Sequence, residues 1–200
     1  MGKRTAVFLD RDGTINVERG YVTRPGDLVL IDGAADAIRA LNDRGVLTVV
    51  VSNQSGVARG LMTEEDLARI HERLEDLLFA AGARLDGAYY CPNFASGTVE
   101  RYTRDSSCRK PATGMIDRAV VDLAIDLGSS VMVGDHATDI ELANAVGIPG
   151  VLVETGRGRA ALDEAGTLGI EIAHSSPDLA AAVEWILTVW FKRGGGVDGA

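Results

Sequence analysis

The feature that most constrains the fold of this chain is a regular alternation of short apolar runs with longer segments of helical spacing. The apolar runs are rich in β-branched residues and end in polar turns, which is typical of strands buried on both faces. Strands that alternate with helices predict an α/β fold, with a Rossmann-like, mostly parallel sheet and helices on both of its faces. The candidate strands are Ala6–Leu9, Leu47–Val51, Ala88–Tyr90, Val131–Val133 and Val151–Val153.

Between the apolar runs lie segments whose apolar residues recur at the spacing of an α-helix. The clearest is Thr113–Leu127, in which these residues form a single stripe. Thr63 and Asp178 each precede such a segment, and both are residue types that favour the N-cap position. The predicted helices are Ala34–Asn42, Glu64–Ala81, Thr113–Leu127, Asp139–Val146 and Leu179–Phe191.

The length of 200 residues favours a single domain, which we predict over residues 1–193. One polar, turn-rich stretch, Cys91–Pro111, interrupts the alternation after the third strand, and a loop of this length is either functional or mobile. We call this stretch the insert. Residues 194–200 are rich in glycine and predict a flexible C-terminal tail.

The formal net charge of the chain is −9, which argues against a general binder of nucleic acid or of anionic membranes, because both need a basic face. A few basic side chains and a cation can still form a local site for an anionic substrate. No signal-peptide segment or membrane-length apolar run is visible, and two cysteines do not make a disulfide framework. We expect a cytoplasmic protein and a monomer.

Two acidic residues, Asp10 and Asp12, follow the first predicted strand. In an open parallel sheet ligands bind beyond the carboxyl ends of the strands, so both carboxylates can face one crevice. Crowded carboxylates repel each other, and a divalent cation or a shared proton relieves that repulsion. A calcium-binding EF-hand is excluded because Thr14 and Ile15 occupy positions that need a ligand and a glycine. A plain solvated turn stays open for this segment taken alone.

Polar residues also follow the other predicted strands. Ser52 and Asn53 follow the second strand, where a hydroxyl and free backbone N–H groups can hold a phosphoryl oxygen. The insert ends in Arg109 and Lys110, which are suited to gripping an anion but are equally typical of a solvated surface. Asp135 follows the fourth strand.

A second acid, Asp139, lies four residues beyond Asp135 and can alternatively cap the next helix. Taken together, these signals stand in a fixed order along the chain: Asp10-x-Asp12-Gly13-Thr14, Ser52-Asn53, Lys110 and Gly134-Asp135-x3-Asp139. That order resembles the four motifs of the haloacid dehalogenase (HAD) superfamily of phosphotransferases, over Phe8 to about Val153.

A closer resemblance is to one small branch of that superfamily, which contains heptose bisphosphate phosphatases and histidinol-phosphate phosphatases and has no large cap domain. It rests on Asn16…Gly20-Tyr21-Val22, Ser52–Gly60, Tyr89-Tyr90-Cys91-Pro92 and Cys108-Arg109-Lys110-Pro111. The resemblance implies a phosphomonoester hydrolase for a small sugar phosphate, with heptose 1,7-bisphosphate as the leading substrate. Histidinol phosphate or another small metabolite is the alternative. A non-catalytic phosphate-binding protein is more remote, because binding alone needs neither Asp10 nor Asp12.

The resemblance also implies a role for each acidic residue. Asp10 would be the nucleophile that forms an aspartyl-phosphate, and Asp12 would protonate the leaving oxygen and then activate water. Asp10, Asp135 and the backbone carbonyl of Asp12 would bind Mg²⁺. Asp139 would orient Lys110 or a metal-bound water.

The remaining roles concern the substrate. Ser52 and Lys110 would hold the transferring phosphoryl group, and Asn53 and Arg109 would face the rest of the substrate. A basic or weakly basic residue after the metal-binding acid would also lie near the substrate, and here this residue is His136, where the heptose enzymes have lysine.

The insert departs from the branch, whose members usually bind zinc there through Cys-x-His and Cys-x-Cys. The corresponding positions are Cys91, Asn93, Ser106 and Cys108, so two of four ligands are missing and we expect no structural zinc. The two cysteines could be relics, free thiols or a redox-sensitive pair. A loose dinucleotide-like pattern, Gly156–Ala161, follows the last predicted strand, and we interpret it as a loop that could contact substrate.

Overall fold

The computed structural model describes residues 2–193 and contains one six-stranded sheet. Neighbouring strands are all parallel. The strands are β1 (Ala6–Leu9), β2 (Leu47–Asn53), β3 (Gly87–Cys91), β4 (Val131–Gly134), β5 (Gly150–Val153) and β6 (His174–Ser176). Their order across the sheet is β3-β2-β1-β4-β5-β6. The predicted α/β fold with a parallel sheet is therefore confirmed.

Six α-helices connect or follow these strands in the part of the chain that the structure describes. They are α1 (Ala34–Asp43), α2 (Glu64–Ala80), α3 (Gly114–Leu123), α4 (Ala137–Val146), α5 (Gly158–Leu168) and α6 (Leu179–Trp185). Both predicted caps are confirmed: the Thr63 side chain accepts a hydrogen bond from the Asp66 N–H, and Asp178 accepts one from the Ala181 N–H. Short 3₁₀ turns lie at Pro25–Asp27, Glu100–Tyr102 and Leu127–Ser129.

The helices cover both faces of the sheet, because successive strand residues point to opposite sides. Val7 and Leu9 of β1 pack with α1, α2 and α6 in one apolar cluster. Ala6 and Phe8 pack with α3 and α4 in a second cluster, and Ala161 of α5 lies in a third beside them. Burial of β1 on both faces explains why its sequence is a continuous apolar run rather than an alternating one.

Two predicted helices end earlier than the sequence suggested. α3 stops at Leu123 instead of Leu127 because Ala124 adopts a left-handed conformation (φ 52°, ψ 49°), after which Ile125 turns back into the core. α6 continues beyond Trp185 as a π-helical segment, Ile186–Trp190, and a 3₁₀ turn. In both places the apolar stripe continues although the α-helical hydrogen bonding does not.

Two elements were not predicted. β6 is short and polar, so no apolar run marks it. The prediction of a loop over Gly156–Ala161 is wrong in its second half, because α5 begins at Gly158. Gly156 itself has φ +58°, a left-handed conformation that glycine adopts readily, and it forms the turn before the helix.

The insert connects β3 to α3 and carries a single 3₁₀ turn, so the described residues include no additional cap domain. Its ends are joined by a disulfide between Cys91 and Cys108, which is the paired alternative that the sequence left open. The predicted tail, residues 194–200, lies outside the described residues. None of the described helices is both long and apolar enough to cross a membrane.

The order of the strands determines where a ligand can bind. β1 lies between β2 and β4, and the chain reverses its direction of progress across the sheet at this point. At such a switch point the loops that leave the carboxyl ends of adjacent strands separate and open a crevice. The segments after β1, β2 and β4 therefore converge on one place.

Candidate active site

A cavity of about 260 Å³ opens at the carboxyl ends of β1, β2 and β4. Every residue that the sequence assigned to the site lines it: Asp10, Asp12, Ser52, Asn53, Arg109, Lys110, Asp135 and Asp139. The lining also includes the segment after β1, through Glu18 and Gly20–Val22, and the loop after β5, through Arg157. Residues that are far apart in the chain thus form one crevice, as the parallel topology predicts.

Lys110 is the centre of a buried charge network. Its ammonium group lies 2.7 Å from a carboxylate oxygen of Asp10 and 2.7 Å from one of Asp139, and it donates to the Val51 carbonyl at 2.8 Å. Burial alone would lower the pKa of Lys110, but the two carboxylates outweigh it and hold the pKa above its ordinary value. Lys110 is therefore a fixed cation at the base of the cavity.

Three carboxylates crowd the same place. Oxygen atoms of Asp10, Asp135 and Asp139 all lie within 4.8 Å of one another. Burial, followed by the charges of Asp10 and Asp139, raises the pKa of Asp135 to about 8. A hard divalent cation relieves this repulsion and prefers carboxylate oxygens, so the donor set fits Mg²⁺. Asp139 is already paired with Lys110, which leaves Asp10 and Asp135 as the better-placed ligands.

Glycine makes room for Asp135. A Cβ atom at either Gly13 or Gly156 would overlap its carboxylate, and both residues have left-handed φ values, +80° and +58°. The backbone N–H of Arg157 donates to Asp135 at 2.8 Å, and the Thr155 hydroxyl donates to the Gly13 carbonyl at 2.6 Å. The loop after β5 therefore orients a candidate metal ligand, a role that the sequence did not indicate.

Asp12 stands apart from that cluster and is held by three donors. The guanidinium of Arg11 binds both of its carboxylate oxygens, at 2.7 and 3.0 Å, and the amides of Asn16 and Gln54 donate at 2.9 and 2.8 Å. Burial would raise the pKa of Asp12, but the charge of Arg11 and the amide hydrogen bonds outweigh burial and lower it. These interactions therefore favour the ionised carboxylate and fix its position.

Two polar residues of β2 complete the base of the cavity. Ser52 is buried, and its hydroxyl accepts a hydrogen bond from Gln54 at 3.1 Å. The Asn53 amide donates to the Lys110 carbonyl at 3.1 Å and accepts from the Lys110 N–H at 2.9 Å. Although Asn53 lines the cavity, its amide is thus committed to the backbone of Lys110, where it positions the cation.

The mouth of the cavity is basic. Arg59, Arg109 and Arg157 all line the cavity, and Glu18 lines it as well. His136 also lines the cavity and is the N-cap of α4: its side chain accepts from the Thr138 N–H, and its own N–H donates to Asp139. The alternative that Asp139 is the N-cap is therefore wrong. His136 is the N-cap, and Asp139, at the third helical position, accepts a hydrogen bond from its backbone.

The four positions that the resemblance aligns with zinc ligands of the branch lie together in the insert. Cys91 and Cys108 are joined by the disulfide, with their Cα atoms 5.5 Å apart. The Asn93 amide donates to the Ser106 hydroxyl at 3.2 Å and lies 3.6 Å from the Cys108 sulfur. A disulfide bond and a hydrogen bond therefore connect the beginning of the insert to the segment near its end.

Comparison with known proteins agrees with this site. Residues 107–182 match the HAD-hydrolase-like family. The D-glycero-D-manno-heptose-1,7-bisphosphate 7-phosphatase of Thermosynechococcus vestitus is 48% identical over 92% of this chain and 96% of its own length. The corresponding Escherichia coli K12 protein is 45% identical over 76% of this chain and 80% of its own length. This chain belongs to the heptose-1,7-bisphosphate 7-phosphatase family. The predicted resemblance is confirmed.

Solved structures of proteins from this family have the same fold. The D,D-heptose 1,7-bisphosphate phosphatase from B. bronchiseptica, complexed with magnesium and phosphate, aligns with a TM-score of 0.82 at 31% identity, over 92% of this chain and 98% of that one. The enzyme from Burkholderia thailandensis gives a TM-score of 0.69 at 29% identity, over 92% of this chain and 99% of that one. The HAD fold predicted for this family member is confirmed.

Four site residues of this phosphatase family member were missed from the sequence. Arg11 and Gln54 hold Asp12, Arg59 reaches the mouth from the loop after β2, and Arg157 supports Asp135. Arg11 and Gln54 each lie next to or between residues that were singled out, so proximity to a motif was the available signal. The sequence placed Arg157 only within a loop that could contact substrate, and Arg59 only within a family-like segment, and gave neither residue a role.

Proposed function

We propose that this protein is a magnesium-dependent D-glycero-D-manno-heptose-1,7-bisphosphate 7-phosphatase that forms an aspartyl-phosphate on Asp10. The observation that carries the proposal is the setting of Asp10 at the base of the cavity. Its side chain is 12% exposed, is paired with the buried Lys110 and lies beside Asp135. A nucleophilic carboxylate, a fixed cation and a metal-binding acid are what phosphoryl transfer needs at one phosphorus atom.

Mg²⁺ bound by Asp10, Asp135 and the Asp12 carbonyl would neutralise part of the charge of an incoming phosphate dianion. Lys110 and the Ser52 hydroxyl bind the phosphoryl oxygens and align phosphorus with Asp10. An Asp10 carboxylate oxygen attacks phosphorus as the bond from phosphorus to the sugar oxygen breaks. That oxygen leaves with a proton from Asp12 and becomes the 7-hydroxyl of the product.

The second half of the reaction releases Asp10. The carboxylate of Asp12 takes a proton from water, the water oxygen attacks phosphorus, and the bond between phosphorus and Asp10 breaks to give inorganic phosphate. Hydrogen bonds from Arg11, Asn16 and Gln54 favour the ionised form of Asp12. A phosphate dianion beside it raises its pKa, so Asp12 acquires its proton as substrate binds.

The mouth of the cavity supports a bisphosphate. The two phosphates are attached to opposite ends of a seven-carbon sugar, so the 1-phosphate projects outward when the 7-phosphate reaches Asp10. Arg59 and Arg109 line the cavity, and guanidinium groups bind phosphate through paired N–H donors. Histidinol phosphate has an imidazole ring at the corresponding end and its ammonium group close to its single phosphate, so it offers these arginines no anion to bind. The basic mouth therefore favours the bisphosphate over this alternative.

The test is hydrolysis of the bisphosphate in the presence of Mg²⁺, followed by phosphorus NMR. We expect the 7-phosphate signal to be replaced by inorganic phosphate while the 1-phosphate signal persists, and we expect a higher kcat/KM than with histidinol phosphate. The Asp10→Asn variant is the matched control for contaminating phosphatase. Preferential loss of the 1-phosphate, or a higher kcat/KM with histidinol phosphate, would refute the proposal.

A further inference from the structure

Phe94, in the insert, carries two arginines on its ring. The guanidinium carbon of Arg59 lies 4.3 Å from the ring centroid, and that of Arg109 lies 4.8 Å from it. Arg59 belongs to the loop after β2, whereas Arg109 lies at the exit of the insert. Phe94 is thus a shared contact through which two separate loops bring their cations together at the cavity mouth.

The two arginines are like charges without an acidic partner. Within residues 2–193, no carboxylate lies within ion-pair distance of either guanidinium, and the one side-chain hydrogen bond recorded for the pair runs from Arg109 to the Asn93 carbonyl at 3.4 Å. Burial, followed by the charge of Arg59, lowers the pKa of Arg109. Most of their N–H donors therefore remain available to an anion.

The aromatic ring explains how two such cations stay together. The face of an aromatic ring is electronegative and attracts a guanidinium placed over it, and this attraction also fixes the plane of the fork of N–H donors. Lysine would not substitute for either arginine, because its compact ammonium group does not stack as a planar group does. The ring therefore opposes the mutual repulsion of Arg59 and Arg109.

The position of Phe94 is itself fixed from both sides. The N–H groups of Thr98 and Val99 both donate to the carbonyl of Ala58, the neighbour of Arg59, at 2.7 and 2.9 Å. Phe94 donates its own N–H to the Tyr102 carbonyl at 3.1 Å. The disulfide joins Cys91 and Cys108, the latter adjacent to Arg109. These contacts bring the ring to both arginines in one arrangement.

We infer that Phe94 is a positioning residue that holds Arg59 and Arg109 as a paired guanidinium site for the second phosphate of the substrate, and that it thereby sets the preference for a bisphosphate over a monophosphate. The inference rests on the proposed function, because it assigns the second phosphate to this mouth. Phe94 does not touch the reacting atoms and lies outside the cavity lining. Its loss therefore affects binding of the second phosphate and leaves the transfer step intact.

The experiment compares heptose 1,7-bisphosphate with heptose 7-phosphate, which lacks the second phosphate, in wild type, Phe94→Leu and Phe94→Tyr. In Phe94→Leu we expect KM for the bisphosphate to rise about tenfold with kcat within about twofold, and KM for the monophosphate to stay within about twofold. Phe94→Tyr keeps the ring and is expected to retain the wild-type preference. Melting temperatures of the three proteins identify any loss of fold.

Each outcome separates this inference from the proposed function. A wild-type enzyme that hydrolyses the bisphosphate no better than the monophosphate would refute recognition of the second phosphate itself. A wild-type preference that persists in Phe94→Leu, or equal losses on both substrates in a folded Phe94→Leu, would refute the role of Phe94 alone. If Phe94→Leu does not fold, Arg59→Lys decides: it keeps the charge, and an unchanged KM for the bisphosphate would overturn the inference.

Discussion

Different interactions hold the side chains at the base of the cavity and at its mouth. At the base, Asp10, Lys110 and Asp139 are buried side chains whose charges depend on one another, and the ends of β1, β2 and β4 fix their positions. At the mouth, Arg59 and Arg109 belong to loops, form no ion pair with a carboxylate of residues 2–193, and lie over an aromatic ring. The sheet therefore positions the groups that would make and break bonds, and the loops position the groups that would choose the substrate.

This difference has a kinetic meaning. A buried charge that loses its partner is left uncompensated, so changes at the base should affect the transition state and lower kcat. An exposed cation at the mouth binds substrate and transition state equally, so changes there should raise KM and leave kcat nearly unchanged. Changes in each region therefore test whether the base determines kcat and the mouth determines KM.

The largest effect is expected at Asp10. Asp10→Asn removes the proposed nucleophile, and we expect kcat to fall by a factor on the order of 10⁴, because the covalent bond could not form. Lys110 keeps its ion pair with Asp139, so the variant should remain folded. Phosphate-release kinetics and a melting curve measure both results, with the exposed Asp43→Asn as matched control. Retention of a tenth of wild-type activity would rule out the aspartyl-phosphate mechanism.

Removal of the metal should be next in size. Without a divalent cation, Asp10, Asp135 and a phosphate dianion would crowd as like charges, a repulsion of several kcal/mol at short range. We expect EDTA to lower kcat by about a hundredfold or more and Mg²⁺ to restore it fully. Activity that survives in metal-stripped buffer would show that Asp135 has been assigned a role it does not have.

The pH dependence of stability should come third. Because the folded-state pKa of Asp135 is about 8 and its ordinary value is near 4, the folded metal-free protein binds more protons than the unfolded chain at intermediate pH. The contribution of protonated Asp135 to the free energy of unfolding is fully present below the ordinary pKa and is lost as pH rises through about 8. We expect the melting temperature of metal-free protein to fall between about pH 5 and pH 8 and to level off above that range.

Two controls accompany this measurement. Mg²⁺ should restore the melting temperature at high pH, since it stabilises the ionised carboxylates, and Asp135→Asn should flatten the dependence in metal-free buffer. A flat profile for the metal-free wild type would mean that the acids at the base of the cavity are not coupled as their distances suggest.

The smallest effect is expected in the insert. Its disulfide closes a loop of 17 residues, which contributes about 3 kcal/mol of loop-closure entropy in the chain-entropy account. Reduction with dithiothreitol should loosen Arg109 and raise KM for the bisphosphate about fivefold, with kcat within about twofold. The double variant Cys91→Ser/Cys108→Ser should behave like the reduced enzyme. A fall in kcat with KM unchanged would show that the insert serves the chemical step.

The wild type and the double variant Cys91→Ser/Cys108→Ser also allow the metal content of the insert to be tested. We expect elemental analysis of protein purified without chelator to find no zinc, because Asn93 and Ser106 replace two ligands and structural zinc needs four. One zinc per chain that disappears in Cys91→Ser/Cys108→Ser would show that another ligand has been recruited.

Much of the arrangement at the base of the cavity could be predicted from the sequence. Asp10, Asp135 and Ser52 follow continuous apolar runs, and a parallel sheet brings the carboxyl ends of such runs together whatever the helices do. The motif order supplied the family, which comparison with relatives confirms. Five of the six strands carried the required apolar signal; β6, His174–Ser176, did not.

The mouth could not be read in this way. Arg59 was visible only as part of a family-like segment, and its place depends on the turn after β2 and on two hydrogen bonds from the insert to Ala58. Arg157 lies in a glycine-rich pattern after the last predicted strand that was interpreted as a loop, whereas a helix begins directly after it. Contacts of this kind depend on how far side chains reach between loops, and hydrophobic periodicity carries no information about that reach.

The central position of β1 also affects how rapidly its backbone amides exchange with solvent. The Asp10 N–H donates to the Val133 carbonyl at 2.9 Å, in the middle of a sheet whose neighbouring strands are buried. An amide in such a place exchanges with solvent chiefly when the whole domain unfolds, whereas amides of half-exposed loops exchange through small local openings. Asp10 and the loops that carry the arginine pair are therefore expected to belong to different cooperative units. Hydrogen exchange should be slow at the Asp10 amide and faster at amides of the loops around Arg59 and Arg109.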